Sequence, residues 1–435
     1  MLPTRLLELT EWDEQSFEGI SLLPRDRRLA EQLREGPGPR LIIDELRTGI
    51  RVRSRAWVGV ARFDGLEIRV HPKLAGDYLD LATMIEVATG LAALKRSVGV
   101  QGFASRGSSL FDLVALLHVM SCEAIARGGF MADYIPKEEE LGVVRGRLLV
   151  DRQVFERFGH VDRLICAFDD HHTDIPDNQI LAFALRCSAR RVTDPRVRQR
   201  VRRMLGVMVG VCDSAKLAVG RILEPILYNR RNEHYRESHA LSRLIVEGLG
   251  VSDVLEADAH ESFAFMLDMN VLFERFVDKL ISWAFRSTPV RVSSQHRDRS
   301  IVWDEASQEP YSTVAPDLIV ETTADSSKRL PIDAKYKLYD DKQVSSSDLY
   351  QAFLYAVGFA NNKEAIPAAL LVYPSSSGDR GHHQLSVRNQ SGLEAARVRA
   401  LAVDIPAALN ELRSQKPGRI VDSLRREAMA LMCVR

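Results

Sequence analysis

Pro316-Asp317 and, sixteen residues on, Asp333-Ala334-Lys335-Tyr336-Lys337 bring two carboxylates and two ammonium groups into runs of β character. The runs are Val314 to Glu321 and Leu330 to Tyr339. Between them, Thr322-Thr323-Ala324-Asp325-Ser326-Ser327 is polar, small and turn-prone, so the two read as a hairpin. A hairpin sets Asp317 beside Asp333 at one end of a sheet. Carboxylates about 4 Å apart repel by roughly 4 kcal/mol at an effective dielectric near 20, so the pair invites a proton or a cation. Hard oxygen donors suit Mg²⁺, with Mn²⁺ as a substitute, and such an ion also grips phosphate. Lys335 nearby can orient water or stabilise charge developing on phosphoryl oxygens. Together these groups spell phosphodiester hydrolysis. Strand alternation puts Asp333, Lys335 and Lys337 on one face and Ala334 and Tyr336 on the other. The plain structural alternative is an exposed hairpin with a cross-strand Asp–Lys pair.

Two helices must position the pair. After the hairpin, Ser347-Asp348-Leu349-Tyr350-Gln351-Ala352-Phe353-Leu354-Tyr355-Ala356 opens a helix with capping residues at its start. Asp348, Gln351 and Tyr355 form a polar stripe on it at i, i+3 and i+7. Before the hairpin, Met269-Asn270-Val271-Leu272-Phe273-Glu274-Arg275-Phe276-Val277 reads as a buried helix whose carboxylate, Glu274, needs a partner or a metal. An ion pair of Glu274 with Arg275 or Lys279 is the competing reading. Ala365 to Tyr373 suits a central strand.

The order is helix, strand near Val290 to Ser294, strand with Asp317, strand with Asp333 and Lys335, helix, strand. This segment resembles the PD-(D/E)XK nuclease superfamily, whose core is αβββαβ, and Gln351…Tyr355 resembles the QxxxY element of its RecB-like branch. The resemblance implies Glu274, Asp317 and Asp333 as metal ligands and Lys335 as the water-positioning group. It makes Gln351 and Tyr355 supporting or DNA-side residues, with Lys337 a phosphate contact or a solvated lysine. Further elements lie upstream in order. They are the hairpin Ala56 to Arg62 and Leu66 to Lys73 around Asp64-Gly65, Tyr134, Gly142-Val143-Val144-Arg145-Gly146-Arg147-Leu148, Gln153, Cys166-Ala167-Phe168-Asp169 and Asp177-Asn178. With the DAKYK run these look like the McrC family, the nuclease subunit of methylcytosine-dependent McrBC restriction systems. That resemblance implies an N-terminal region docked on a ring of the AAA+ GTPase McrB and a C-terminal domain that cuts double-stranded DNA.

Composition narrows the alternatives. A chain of 435 residues is expected to form two or three domains. Net charge is zero, so any basic surface for DNA must be local. Five scattered cysteines with no CxxC argue against structural zinc and iron–sulfur clusters and fit a reducing, cytoplasmic setting. Neither a signal peptide nor a bilayer-spanning apolar run is expected. With no GxxxxGK[ST] in the sequence, no nucleotide is expected to bind this chain, and a motor must be a separate polypeptide.

The expected fold is multidomain α/β: a β-rich, partner-docking domain at 1–78, a mainly helical middle region at 79–250, and a PD-(D/E)XK endonuclease domain at 251–435. Gly248 to Ser252 marks the second boundary. Helices are expected at Leu79 to Leu94, Ser109 to Arg127, Asn178 to Thr193, Pro195 to Val211 and Ser238 to Leu249. Arg297-Asp298-Arg299 and Ser375 to Gly381 read as exposed loops. The arginine-dense stretch from Arg186 to Arg203 is either a phosphate track or a solvated helix face. A stand-alone RecB-like nuclease and a non-catalytic adaptor that stimulates a ring NTPase remain the alternatives.

Overall fold

A computed structural model describes the chain from 5 to 433 apart from 36–37, 75–77, 90–108, 161, 214–219, 221, 223, 225, 250–261, 295, 324–327, 338, 340–342, 361–365 and 376–382. The described residues gather into two units, Met1–Gly107 with Met266–Arg435, and Ser108–Phe265.

The first unit opens with β1 (Arg5–Thr10), β2 (Glu14–Glu18), α1 (Pro24–Arg34), β3 (Leu41–Leu46), β4 (Gly49–Ser54), β5 (Trp57–Phe63), β6 (Leu66–His71) and α2 (Tyr78–Thr89). The expected hairpin is present: β5 and β6 pair antiparallel around Asp64-Gly65, where Gly65 takes φ +71°, a conformation glycine adopts without strain. β1 joins β6 in parallel, and β2, β4 and β3 form a separate antiparallel sheet. Residues 90–94 of the helix expected from Leu79 lie outside the described residues.

The second unit holds α3 (Leu110–Gly128), β7 (Asp133–Leu141), β8 (Arg147–Leu148), α4 (Val150–Glu156), β9 (Leu164–His172), α5 (Pro176–Arg191), α6 (Pro195–Val209) and α7 (Arg236–Leu249). Ser109 caps α3 through a reciprocal bond with Asp112, which satisfies two otherwise orphaned donors. Among the described residues helices dominate this unit, and strands also enter it. β7, β9 and β8 form a three-stranded sheet, and the β7 sequence DYIPKEEEL carries none of the apolar alternation that marks a half-buried strand.

The chain returns through β10 (Phe263–Asp268) into α8 (Met269–Phe285), then β11 (Val290–Ser294), β12 (Asp298–Asp304), β13 (Glu309–Val314), β14 (Leu318–Thr322) and β15 (Arg329–Ala334). It ends with α9 (Ser346–Gly358), β16 (Ala368–Pro374), β17 (His383–Arg388), β18 (Glu394–Val403), α10 (Ile405–Ser414) and α11 (Arg419–Cys433). A six-stranded mixed sheet runs β11-β14-β15-β16-β18-β17. On β16, Ala369, Leu371 and Tyr373 pack with Ala352 and Ala356 of α9, while Leu370 and Val372 between them are equally buried. That explains why its sequence is apolar without alternation.

Two expectations change in this unit. Arg297-Asp298-Arg299 is not a loop, because Asp298 begins β12, half of an inserted β12–β13 hairpin. Most of Ser375 to Gly381 lies outside the described residues. The segments drawn separately at 1–78 and 251–435 also fall in one compact unit; the boundary expected near Gly248 to Ser252 falls largely on residues outside the described ones. Among the described residues, no helix is long and apolar enough to cross a membrane.

Candidate active site

β14 and β15 pair antiparallel with Leu318 opposite Ile332, which sets Asp317, just before β14, against Asp333. The register sets the two carboxyls close enough to act on one another electrostatically. The Ala334 backbone N–H donates to Asp317 Oδ2 at 2.7 Å. Asp333 is 3% exposed. Burial first, and then the charge of Asp317, pushes its carboxyl up to about 7 despite Lys335. Burial likewise raises Asp317, helped by the charge of Glu274. Two buried acids this close cannot both ionise without a cation.

Lys335 supplies one positive charge. Strand β15 ends at Ala334, yet the Lys335 N–H still donates to Val372 O of β16 at 2.8 Å, which keeps the residue in register with the sheet. Its ammonium stands 2.8 Å from Asp333 Oδ2. That oxygen is buried without an aligned hydrogen-bond donor, so the ion pair is close but poorly directed. Burial opposes the Lys335 charge, and attraction from Asp333 and Asp317 more than offsets it, raising its pKa.

Lys337 goes elsewhere. Strand alternation lapses where the Lys337 N–H turns back to Lys335 O at 2.8 Å. The Lys337 ammonium binds Asp348 Oδ1 at 3.1 Å and Oδ2 at 2.8 Å, so it is held at the start of α9. Asp348 also accepts from Tyr339 and from Ser345 Oγ at 2.5 Å. Burial works against its charge, but these bonds outweigh it and hold the carboxyl below its ordinary value. This clasp at the start of α9 went unread in the sequence, where Asp348 shows as a capping residue and a member of the polar stripe.

Gln351 and Tyr355 act as a tether. Gln351 Nε2 donates to Tyr355 Oη at 2.6 Å, and Tyr355 Oη donates to Ala315 O at 3.0 Å. Ala315 is two residues before Asp317, so α9 holds the turn that delivers the first carboxylate. Tyr355 also packs with Val314, Ile319 and Phe359.

Glu274 is half-buried on α8. Burial and the charge of Asp333 raise its pKa, with Arg275 opposing. Among the described residues no three His, Cys, Asp or Glu side chains form a group able to hold a metal. Glu274 thus stands within electrostatic reach of the pair without closing on it. A divalent ion with hard oxygen ligands nonetheless suits Asp317 and Asp333, given two buried carboxyls that repel one another. Of the arginine-dense stretch, Arg198 binds Val192 O and Arg200 binds Glu123, while Arg196, Arg202 and Arg203 are exposed.

Comparison with known proteins adds to the geometry. Residues 52–374 match the family model described as McrBC 5-methylcytosine restriction system component. No curated protein matches the chain. A chain in the refined half-complex from the tetradecameric assembly of Thermococcus gammatolerans McrB AAA+ hexamers with bound McrC is similar. It is 17% identical, with 94% of this chain and 100% of that one covered, at a TM-score of 0.57. A chain of the cryo-EM structure of the Thermococcus gammatolerans McrBC complex is 19% identical over 65% of this chain and 88% of its own, at 0.45. The first of these shows a shared fold.

Proposed function

The chain belongs to the family of McrBC 5-methylcytosine restriction system components, and from that premise we propose that it is the subunit that cuts DNA. The observation that carries the reading is the Asp317–Asp333 pair beside Lys335. The succession α8, β11, β14, β15, α9, β16 supports a PD-(D/E)XK domain, with the β12–β13 hairpin as an insertion.

In this reading Asp317 and Asp333 would hold Mg²⁺, with Glu274 of α8 as the further carboxylate of the set. A Mg²⁺ ion held there would supply an acidified water and neutralise charge on the scissile phosphate. Lys335 orients the attacking water and stabilises charge on the phosphoryl oxygens. Gln351 and Tyr355 hold Asp317 in place through Ala315, and Lys337 locks the lysine loop onto α9. Substrate is double-stranded DNA.

The Thermococcus assembly holds McrB AAA+ hexamers with bound McrC, and this sequence lacks a P-loop. We therefore assign the motor to an AAA+ GTPase ring, which the chain joins. The test is reconstitution of the purified chain with its ring, GTP and Mg²⁺ on methylcytosine-containing plasmid. Cutting that stops without the ring or with a chelator supports the reading. No cutting under any of these conditions contradicts it.

A further inference from the structure

Glu11 follows β1 and is 1% exposed. Its Oε2 accepts two hydrogen bonds at 2.8 Å, one from the Tyr336 phenol and one from the Lys73 backbone N–H. Among the described residues its buried Oε1 has no hydrogen-bond partner. Burial pushes this carboxyl up to about 7, against the bonds from Lys73 and Tyr336. Such a group is costly in an interior, and packing alone would be served by a leucine. Trp12, the next residue, turns the chain toward β2 with φ +63°, a left-handed conformation unusual for a bulky residue.

The other end of the contact lies inside the catalytic stretch. Tyr336 is 1% exposed and stands between Lys335 and Lys337. Its ring centroid is 5.6 Å from that of Phe273, the residue before Glu274. One phenol thus touches the N-terminal segment, the Glu274 helix and the lysine loop. Beyond Ala334 the chain has left β15; the Lys335 N–H donates to Val372 O and its carbonyl accepts from Lys337. Tyr336, next in the chain, is placed to influence where the Lys335 ammonium points.

We propose that Glu11 is a positioning residue of the nuclease centre, which seats Tyr336 and thereby aims Lys335 at Asp333. This rests on the nuclease reading and extends it: β1 becomes part of the catalytic apparatus as well as of a docking domain.

The experiment compares Tyr336→Phe, Glu11→Gln, Glu11→Ala and Asp333→Ala in the full-length, ring-assembled protein. The readouts are kcat, KM for DNA, Mn²⁺ binding by electron paramagnetic resonance, and melting temperature. Tyr336→Phe should lower kcat by about tenfold or more while KM and Mn²⁺ affinity hold. Glu11→Ala should match it. Glu11→Gln keeps an oxygen that accepts the same two bonds and should stay near wild type.

Wild-type kcat per folded molecule in Tyr336→Phe, with only the melting temperature lowered, makes the contact purely structural and overturns the proposal. Equal losses in Glu11→Gln and Glu11→Ala overturn it as well. If Tyr336→Phe does not fold, kcat of Glu11→Ala decides. An inactive wild type, or a fully active Asp333→Ala, sinks the nuclease reading itself and is told apart by those two controls.

Discussion

Asp317 accepts the backbone N–H of Ala334, so the first carboxylate of the pair is fastened to the strand that carries the second. That bond fixes the Asp317 carboxylate against β15. Pre-organisation of this kind lowers what must be spent on ordering when a cation arrives.

Asp317→Asn keeps an oxygen that can accept from Ala334 and should fold with an unchanged melting temperature. It removes one negative charge, so the Mn²⁺ binding midpoint should rise by roughly tenfold or more. Calorimetric titration of Mn²⁺ checks this; an unchanged midpoint would leave Asp317 without a part in metal binding.

Stability should depend on pH with a definite sign. The carboxyls of Asp333 and Glu11 both sit near 7 in the folded chain, well above their ordinary values. A raised acid contributes stability below its unfolded pKa of about 4 and loses it as pH climbs through its folded value. Metal-free protein should therefore melt at a lower temperature at pH 7.5 than at pH 5.5. Mg²⁺ should restore the Asp333 share at pH 7.5, and Asp333→Asn should abolish that response. Melting curves in chelator and in Mg²⁺ read all three.

Tyr355→Phe deletes the donor to Ala315 O and leaves Gln351 without its acceptor. The turn before Asp317 then loosens. Cleavage should fall by about tenfold, with a higher Mg²⁺ concentration needed for half-maximal rate. A loss that is the same at every Mg²⁺ concentration would place Tyr355 on the DNA instead.

The two lysines should separate cleanly. Lys335→Met removes the ammonium beside Asp333 and should lower kcat by roughly a hundredfold or more. Lys337→Met breaks only the clasp on Asp348, and it should lower the melting temperature while cleavage stays within about threefold. Single-turnover rates at saturating DNA distinguish them, and equal losses would return Lys337 to the phosphate.

Much of this site was legible because it is local. Two strands joined by a short polar turn have few ways to pair, so the Asp317–Asp333 juxtaposition follows from alternation and turn chemistry. Gln351 and Tyr355 share a helix face for the same reason. The Ala315 tether and the Glu11–Tyr336 bond were not legible, since each joins segments whose meeting is decided by tertiary packing. β7 escaped because its glutamates pair with Arg152 and Arg157 at the surface, so nothing in its sequence alternates. β12 escaped because its opening Asp298-Arg299-Ser300 reads as loop and masks the apolar run that follows. The Lys337–Asp348 clasp was not legible either, since it joins the lysine run to the start of α9 across residues apart in the chain.

The most direct measurement is Mg²⁺-dependent cleavage of duplex DNA by the ring-assembled chain carrying Asp333→Asn. We expect it to bind ring and DNA as the wild type does while cutting roughly a hundredfold or more slowly at every Mg²⁺ concentration. Cutting within about threefold of wild type would show that the Asp317–Asp333 pair is not where phosphodiester bonds are broken.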